Sequence, residues 1–99
     1  EDTVRVLGLP DIAAMKLAAV AGRGRKRDFY DIYFTLQKFS LQEMMNFYNK
    51  KYEDGSEMMV ARSLTFFDDA DMDEPPRLFN DVLWSDVKKN ILEETRKLY

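Results

Sequence analysis

Asp11-Ile12-Ala13-Ala14-Met15-Lys16-Leu17-Ala18-Ala19-Val20-Ala21 has the composition of a helix, and a lone lysine interrupts its apolar run. The run breaks at Gly22-Arg23-Gly24-Arg25-Lys26, and a second helical pattern opens with Arg27-Asp28-Phe29-Tyr30-Asp31-Ile32-Tyr33. Two helices joined by a glycine-flanked basic turn follow from this stretch. Lysine is rarely fully buried unless it is paired. With small apolar neighbours and two carboxylates on the next helix, Lys16 marks either an anion site or a structural ion pair.

Working outward, helix A is predicted over about Leu9 to Ala21. Pro10 suits its first turn, Asp11 favours the positive end of its dipole, and Gly22 and Gly24 stop it. Helix B is predicted over about Lys26 to Lys38, with Phe29, Ile32, Tyr33, Leu36 and Phe39 spaced as a buried stripe. Asp28 and Asp31 are three apart, so they share a face. Ser40 is a candidate N-cap for helix C, about Leu41 to Tyr52, whose apolar side is Leu41, Met44, Met45, Phe47 and Tyr48. Asp54-Gly55 signals a turn. Helix D spans about Glu57 to Phe67, capped by Ser56, with Met58, Met59, Ala61, Leu64 and Phe67 inward. Asp68 to Pro76 is expected to be an acidic loop, kept from helix by Pro75 and Pro76. Ser85 is expected to cap helix E, with Val87, Ile91, Leu92, Thr95 and Leu98 as its stripe.

Upstream, Thr3-Val4-Arg5-Val6-Leu7 alternates and is β-branched, which predicts a short strand. A single strand is not stable in water, so it is expected to pair outside this chain and the chain to be a fragment. The fold class expected is mainly α: one helical domain over residues 1–99, a bundle of about five helices with a short N-terminal strand.

Composition removes several kinds of chemistry. At 99 residues the chain is one domain or a piece of one. No apolar run approaches the roughly 18 residues of a membrane span, and the first residues do not resemble a signal peptide. There is no cysteine and no histidine, which excludes Ser-His-Asp and Cys-His catalysis within these residues and the commonest metal ligands. Carboxylate-held Mg²⁺, with Asp28 and Asp31 as the acids in question, stays open on composition, but no residue is named as a metal ligand. The net charge of -3 argues against a wholly nucleic-acid-binding surface, but the charge is uneven. Arg23, Arg25, Lys26 and Arg27 make a basic patch; Asp68, Asp69, Asp71, Asp73 and Glu74 make an acidic one.

Each cluster has a functional and a plain reading. Lys16 either neutralises phosphate from a firm helix, or snorkels to water or pairs with Asp28 or Asp31. Asp28 and Asp31 either serve a phosphoryl-transfer site, or Asp28 complements the helix dipole while Asp31 pairs with Arg27. The basic turn either presents cations to phosphate or is a solvated loop. Gly55-Ser56 followed by Asp69-Ala70-Asp71 mimics the Gly-Ser…Asp-x-Asp signature of polymerase-β-type nucleotidyltransferases. That match is rejected, because nothing strand-like precedes Gly55 and the acids lie in a proline-terminated segment.

Asp11 to Val20, Gly22-Arg23-Gly24 and Arg27-Asp28-Phe29-Tyr30-Asp31-Ile32-Tyr33-Phe34 resemble the nucleotidyltransferase-like AbiEii/AbiGii toxin family. So do Ser63-Leu64-Thr65-Phe66-Phe67-Asp68-Asp69-Ala70 and Trp84-Ser85-Asp86-Val87-Lys88, and the likeness runs from about Val4 to Leu92. It implies the C-terminal helical part of a polymerase-β-like bacterial enzyme of abortive-infection, type IV toxin–antitoxin systems. Members bind NTP and are thought to transfer a nucleotide, with tRNA a target class for relatives.

By position, Lys16 matches the lysine expected near the triphosphate, Asp28 the last acidic motif and Asp31 its companion. These three are the catalytic candidates the resemblance implies. Arg23 matches an arginine just before the second helix, and Arg27 stands where the family often has lysine. With Arg25 and Lys26 they make Lys16, Arg23, Arg25, Lys26 and Arg27 the candidate phosphate contacts. NTP and Mg²⁺ in the full-length protein, a cognate antitoxin, the N-terminal half and a cytoplasmic location are implied as well. The Gly-Ser…Asp-x-Asp half is absent from these residues, so they are expected to hold no cofactor and to be inactive alone. The competing expectation is a stand-alone helical interaction module without catalysis, in which Lys16 pairs with Asp28.

Overall fold

Ala13, Ala14, Leu17 and Val20 recur at helical spacing, and the small side chains among them let neighbouring helices approach one helix closely. That helix is α1 (Asp2–Gly22), in a computed structural model that describes the backbone of residues 2–76 and 81–99 and the side chains of residues 8–76 and 81–99. It is followed by α2 (Lys26–Thr35), α3 (Leu41–Lys51), α4 (Glu57–Leu64), the single turn α5 (Asp68–Asp71) and α6 (Trp84–Leu98). α1 packs on α2, α3 and α4, and α6 packs on α2, α3 and α4 from the other side. The shared core holds Leu17, Phe29, Ile32, Met44, Met45, Val60, Leu64, Val87 and Ile91, each 2% exposed or less.

The mainly α class and the bundle are as expected, but the strand over Thr3–Leu7 is not shown. α1 already runs from Asp2, with Pro10 inside it. A strand needs a hydrogen-bonding neighbour, and among the described residues there is no other strand. A helix satisfies its own backbone instead.

Caps explain which starts were legible. The Ser40 hydroxyl accepts from the Glu43 amide at 3.1 Å and the Glu43 carboxylate accepts from the Ser40 amide at 2.8 Å, a complete capping box. Ser56 accepts from the Met59 amide at 3.2 Å. Ser85, by contrast, caps nothing. α6 begins two residues earlier, with Leu83 at the cap and Trp84 drawn against Phe29, Tyr30 and Phe67 at 5.8, 6.0 and 5.8 Å between ring centres. Met58 and Met59 are exposed, not inward. The two-turn helix α4 can turn only one stripe to the core, and Val60, Ala61 and Leu64 occupy it. The acidic segment is not wholly loop: Ala70 is buried and anchors the turn α5, whose aspartates suit a helix start.

Candidate functional site

Gly24 makes the reversal between α1 and α2. Its φ of +58° lies in the left-handed region open to glycine, and the amides of Arg23 and Gly24 both close on the Ala19 carbonyl, at 2.9 and 3.2 Å. The reversal sets α2 beside the last two turns of α1. Lys16 and Arg23 are seven apart, so they lie on one face of α1, while Asp28 and Asp31 lie on one face of α2. Two ion pairs then span the hairpin like rungs.

The inner rung is Arg23–Asp28. The guanidinium donates to the Asp28 carboxylate three times, from Nε at 3.1 and 2.9 Å and from Nη2 at 2.8 Å. The Arg25 amide adds a fourth hydrogen bond at 2.9 Å. Asp28 is 1% exposed, and a carboxylate has about four lone-pair sites, so it is saturated. It has no room for a metal or a substrate proton. Arg23 stays 63% exposed, and its pKa is raised by the hydrogen bonds it donates to Asp28 and then by that residue's charge. Its Nη1 remains free to donate outward.

The outer rung is Lys16–Asp31, one hydrogen bond of 3.1 Å between Nζ and Oδ2. It is not saturated. Lys16 keeps two of its three donors and its side chain is 37% exposed; Asp31 keeps Oδ1. Lys16 pairs with Asp31 rather than with Asp28, which Arg23 already fills.

Both rungs floor one cleft of about 380 Å³, lined also by Ile12, Met15 and Ala19. Lys16 and Asp31 form a wall shared with a second, more apolar recess of about 230 Å³, bounded by Leu9, Ile12, Ala13, Phe34 and Phe39 among others. The structure thus brings Lys16, Arg23, Asp28 and Asp31 together. The rest of the basic turn lies elsewhere. Asp73 receives the Lys26 amide at 3.0 Å and the Arg25 Nε at 3.3 Å, and its carbonyl accepts from Lys26 Nζ at 2.6 Å. Lys26 is buried with its ammonium 5.1 Å from the Trp84 ring centre. Arg27 is exposed, lines neither cavity, and has no ion-pair partner among the described residues.

Asp73 and Trp84 are the residues the sequence reading missed. An acid 47 positions from its partner leaves no local signal; the lone tryptophan was the available hint. Gly55-Ser56 opens α4 under the Tyr48 ring, and Asp71 accepts from Trp84 Nε1 at 2.7 Å and Lys88 at 3.1 Å. Among the described residues no cluster of three acids is arranged to hold a metal. With Asp28 saturated and Asp31 alone, these residues do not fit a Mg²⁺ site by themselves. No helix among the described residues is long and apolar enough to cross a membrane.

A family model described as "Nucleotidyl transferase AbiEii toxin, Type IV TA system" matches residues 1–97. An uncharacterized protein of Aquifex aeolicus (strain VF5) is 40% identical over 67 residues, covering 66% of this chain and 32% of its own length. The chain therefore spans about a third of the length of the curated relative it matches. No solved structure matches it.

Proposed function

We propose a function from one premise: the chain belongs to the nucleotidyl transferase AbiEii toxin family of type IV toxin–antitoxin systems. On that premise the cleft between α1 and α2 binds the triphosphate of an NTP, in a protein that transfers a nucleotide to an RNA acceptor, tRNA among the candidates, and is restrained by a cognate antitoxin. The working place of such a toxin is the cytoplasm, where its acceptor is.

The observation that carries this reading is the unequal pair of rungs in one cleft. Lys16 has spare donors on a firm helix and faces open space, as a phosphate contact needs. Asp31 aims it. Arg23 offers Nη1 beside it, and Asp28 fixes that guanidinium from behind. The apolar recess on the other side of Lys16 suits the base. Asp28 is therefore a positioning residue, acting through Arg23. Any Mg²⁺ the transfer uses needs ligands beyond these residues.

In the intact protein, Lys16→Ala is expected to abolish nucleotide transfer while leaving the melting temperature close to wild type. Wild-type transfer by that variant overturns the assignment. A second reading, a helical interaction module, draws on the exposure of Ile12 and Met15 beside the same cleft. Under it Lys16–Asp31 is only a surface pair. Titration with NTP and Mg²⁺ separates the two, since a module gives no saturable binding.

A further inference from the structure

Arg23 is shared by two clefts. Around the end of α1 from the first lies another, of about 420 Å³, between that end and α4. Its chemistry comes from Arg23, Met59, Arg62, Ser63, Phe66 and Asp69. We propose that this cleft seats one nucleotide of a single-stranded RNA, with the phosphodiester on Arg62 and Arg23 and the base on Phe66. The proposal deepens the transfer reading above by naming where its acceptor strand lies.

Three observations carry it. First, the Arg62 guanidinium has no ion-pair or hydrogen-bond partner among the described residues, although it stands at the end of a short helix with acids nearby in sequence. A planar guanidinium with all its donors spare matches a phosphate bidentately, and Arg23 adds a second positive charge to the same lining. Second, Phe66 is 53% exposed and Met59 56% exposed on the same cleft. A flat ring and a soft thioether beside two cations make a platform on which any base can stack. Third, Asp69 is the one carboxylate on the lining. It repels phosphate but accepts a hydrogen bond from a ribose 2′-hydroxyl, a donor that DNA lacks. The cavity volume falls within the usual range for small-ligand sites. Because Arg23 borders both cavities, a strand seated on Arg62 lies next to the Lys16 cleft.

The test is fluorescence anisotropy with a labelled single-stranded RNA of about eight nucleotides, and with DNA of the same sequence, titrated with the intact protein. Arg62→Ala and Phe66→Ala are each expected to weaken RNA binding roughly tenfold. Both side chains are exposed, so both variants are expected to melt as wild type does. Arg62→Lys keeps the charge but not the fork, and falls between. Wild-type protein prefers RNA to DNA, and Asp69→Ala, which removes the acceptor for the 2′-hydroxyl, narrows that gap. Unchanged RNA affinity in both alanine variants overturns the proposal, as does equal affinity for DNA. So does a loss of antitoxin capture in these variants with RNA affinity intact, which would make the patch a protein interface. The transfer reading fails separately: a wild-type protein that bound no NTP, yet lost RNA binding on Arg62→Ala, would sink that reading and keep this one.

Discussion

The two rungs of the α1–α2 hairpin use the same chemistry to opposite ends. In Arg23–Asp28 the acid is the buried member and every acceptor position is filled. In Lys16–Asp31 both members are partly exposed and one hydrogen bond joins them. A filled, buried acid holds structure, because stripping its donors leaves a desolvated group unpaired. A half-filled pair at the surface holds little. It can, however, change partners when a ligand arrives. The difference lies in satisfaction, not in residue type.

The sharpest break of that comparison is to truncate both acids. Asp28→Ala removes the acceptor for the Arg25 amide at the start of α2 and the anchor of Arg23. It is expected to cost about 2 kcal/mol, or roughly 8–16 °C in melting temperature for a domain of this size. Asp31→Ala is expected to cost less than about 1 kcal/mol. Thermal melts followed by circular dichroism compare them directly. Equal losses would erase the distinction between the rungs.

Gly24→Ala acts on both rungs at once. The position needs a φ of +58°, and an added Cβ would lie 3.2 Å from the Val20 carbonyl oxygen. The expected cost is about 1–2 kcal/mol, read from urea unfolding. Because the turn sets the register of α2 against α1, NTP binding in the intact protein should weaken with it. A variant with full stability and full binding would show that the rungs do not depend on this turn.

How much of this was legible follows from the range of each signal. The α1–α2 hairpin, its glycine stop and the placing of Asp28 and Asp31 on one face are local, and periodicity with turn chemistry reveals them. Ser40 and Ser56 are legible for the same reason. Ser85 misled because its neighbour Trp84 obeys tertiary packing with Phe29 and Phe67. Met58 and Met59 misled because hydrophobicity alone does not fix the phase of a two-turn helix. In the site, the sequence put Lys16 near two acids but could not assign the partners. Burial of Asp28 at the α2 start decides that, and it is a property of the packed hairpin. The diversion of Arg25 and Lys26 to Asp73 depends on a contact across 47 positions. A strand over Thr3–Leu7 follows from β-propensity alone, and β-propensity depends on neighbouring strands, of which the described residues have none.

The smallest expected effect concerns a third polar contact, far from the rungs, which shows how an exposed pair behaves with pH. The Tyr99 hydroxyl donates to Glu57, joining the end of α6 to the start of α4, and Asn49 donates to the same carboxylate at 2.8 Å. Tyr99 is pushed up to about 12 by partial desolvation and then by the bond to Glu57; Glu57 is lowered, first by Tyr99 and then by Asn49. A lowered acid gives stability that is present above its unfolded value and is lost as pH falls through the folded one. A raised phenol gives stability that is present below its unfolded value, near 10, and is lost as pH rises toward the folded one. Melting temperature should therefore sag at both ends of the pH range. Tyr99→Phe should flatten part of each limb. The residual alkaline sag belongs to Tyr30, raised by burial, and the residual acid sag to Asp71, lowered by its bonds from Trp84 and Lys88. Melting temperatures of Tyr99→Phe that track wild type across the whole range would show that this contact contributes nothing, as many exposed pairs do. The open Lys16–Asp31 rung would then be expected to be just as silent in stability, leaving ligand binding as its only readout.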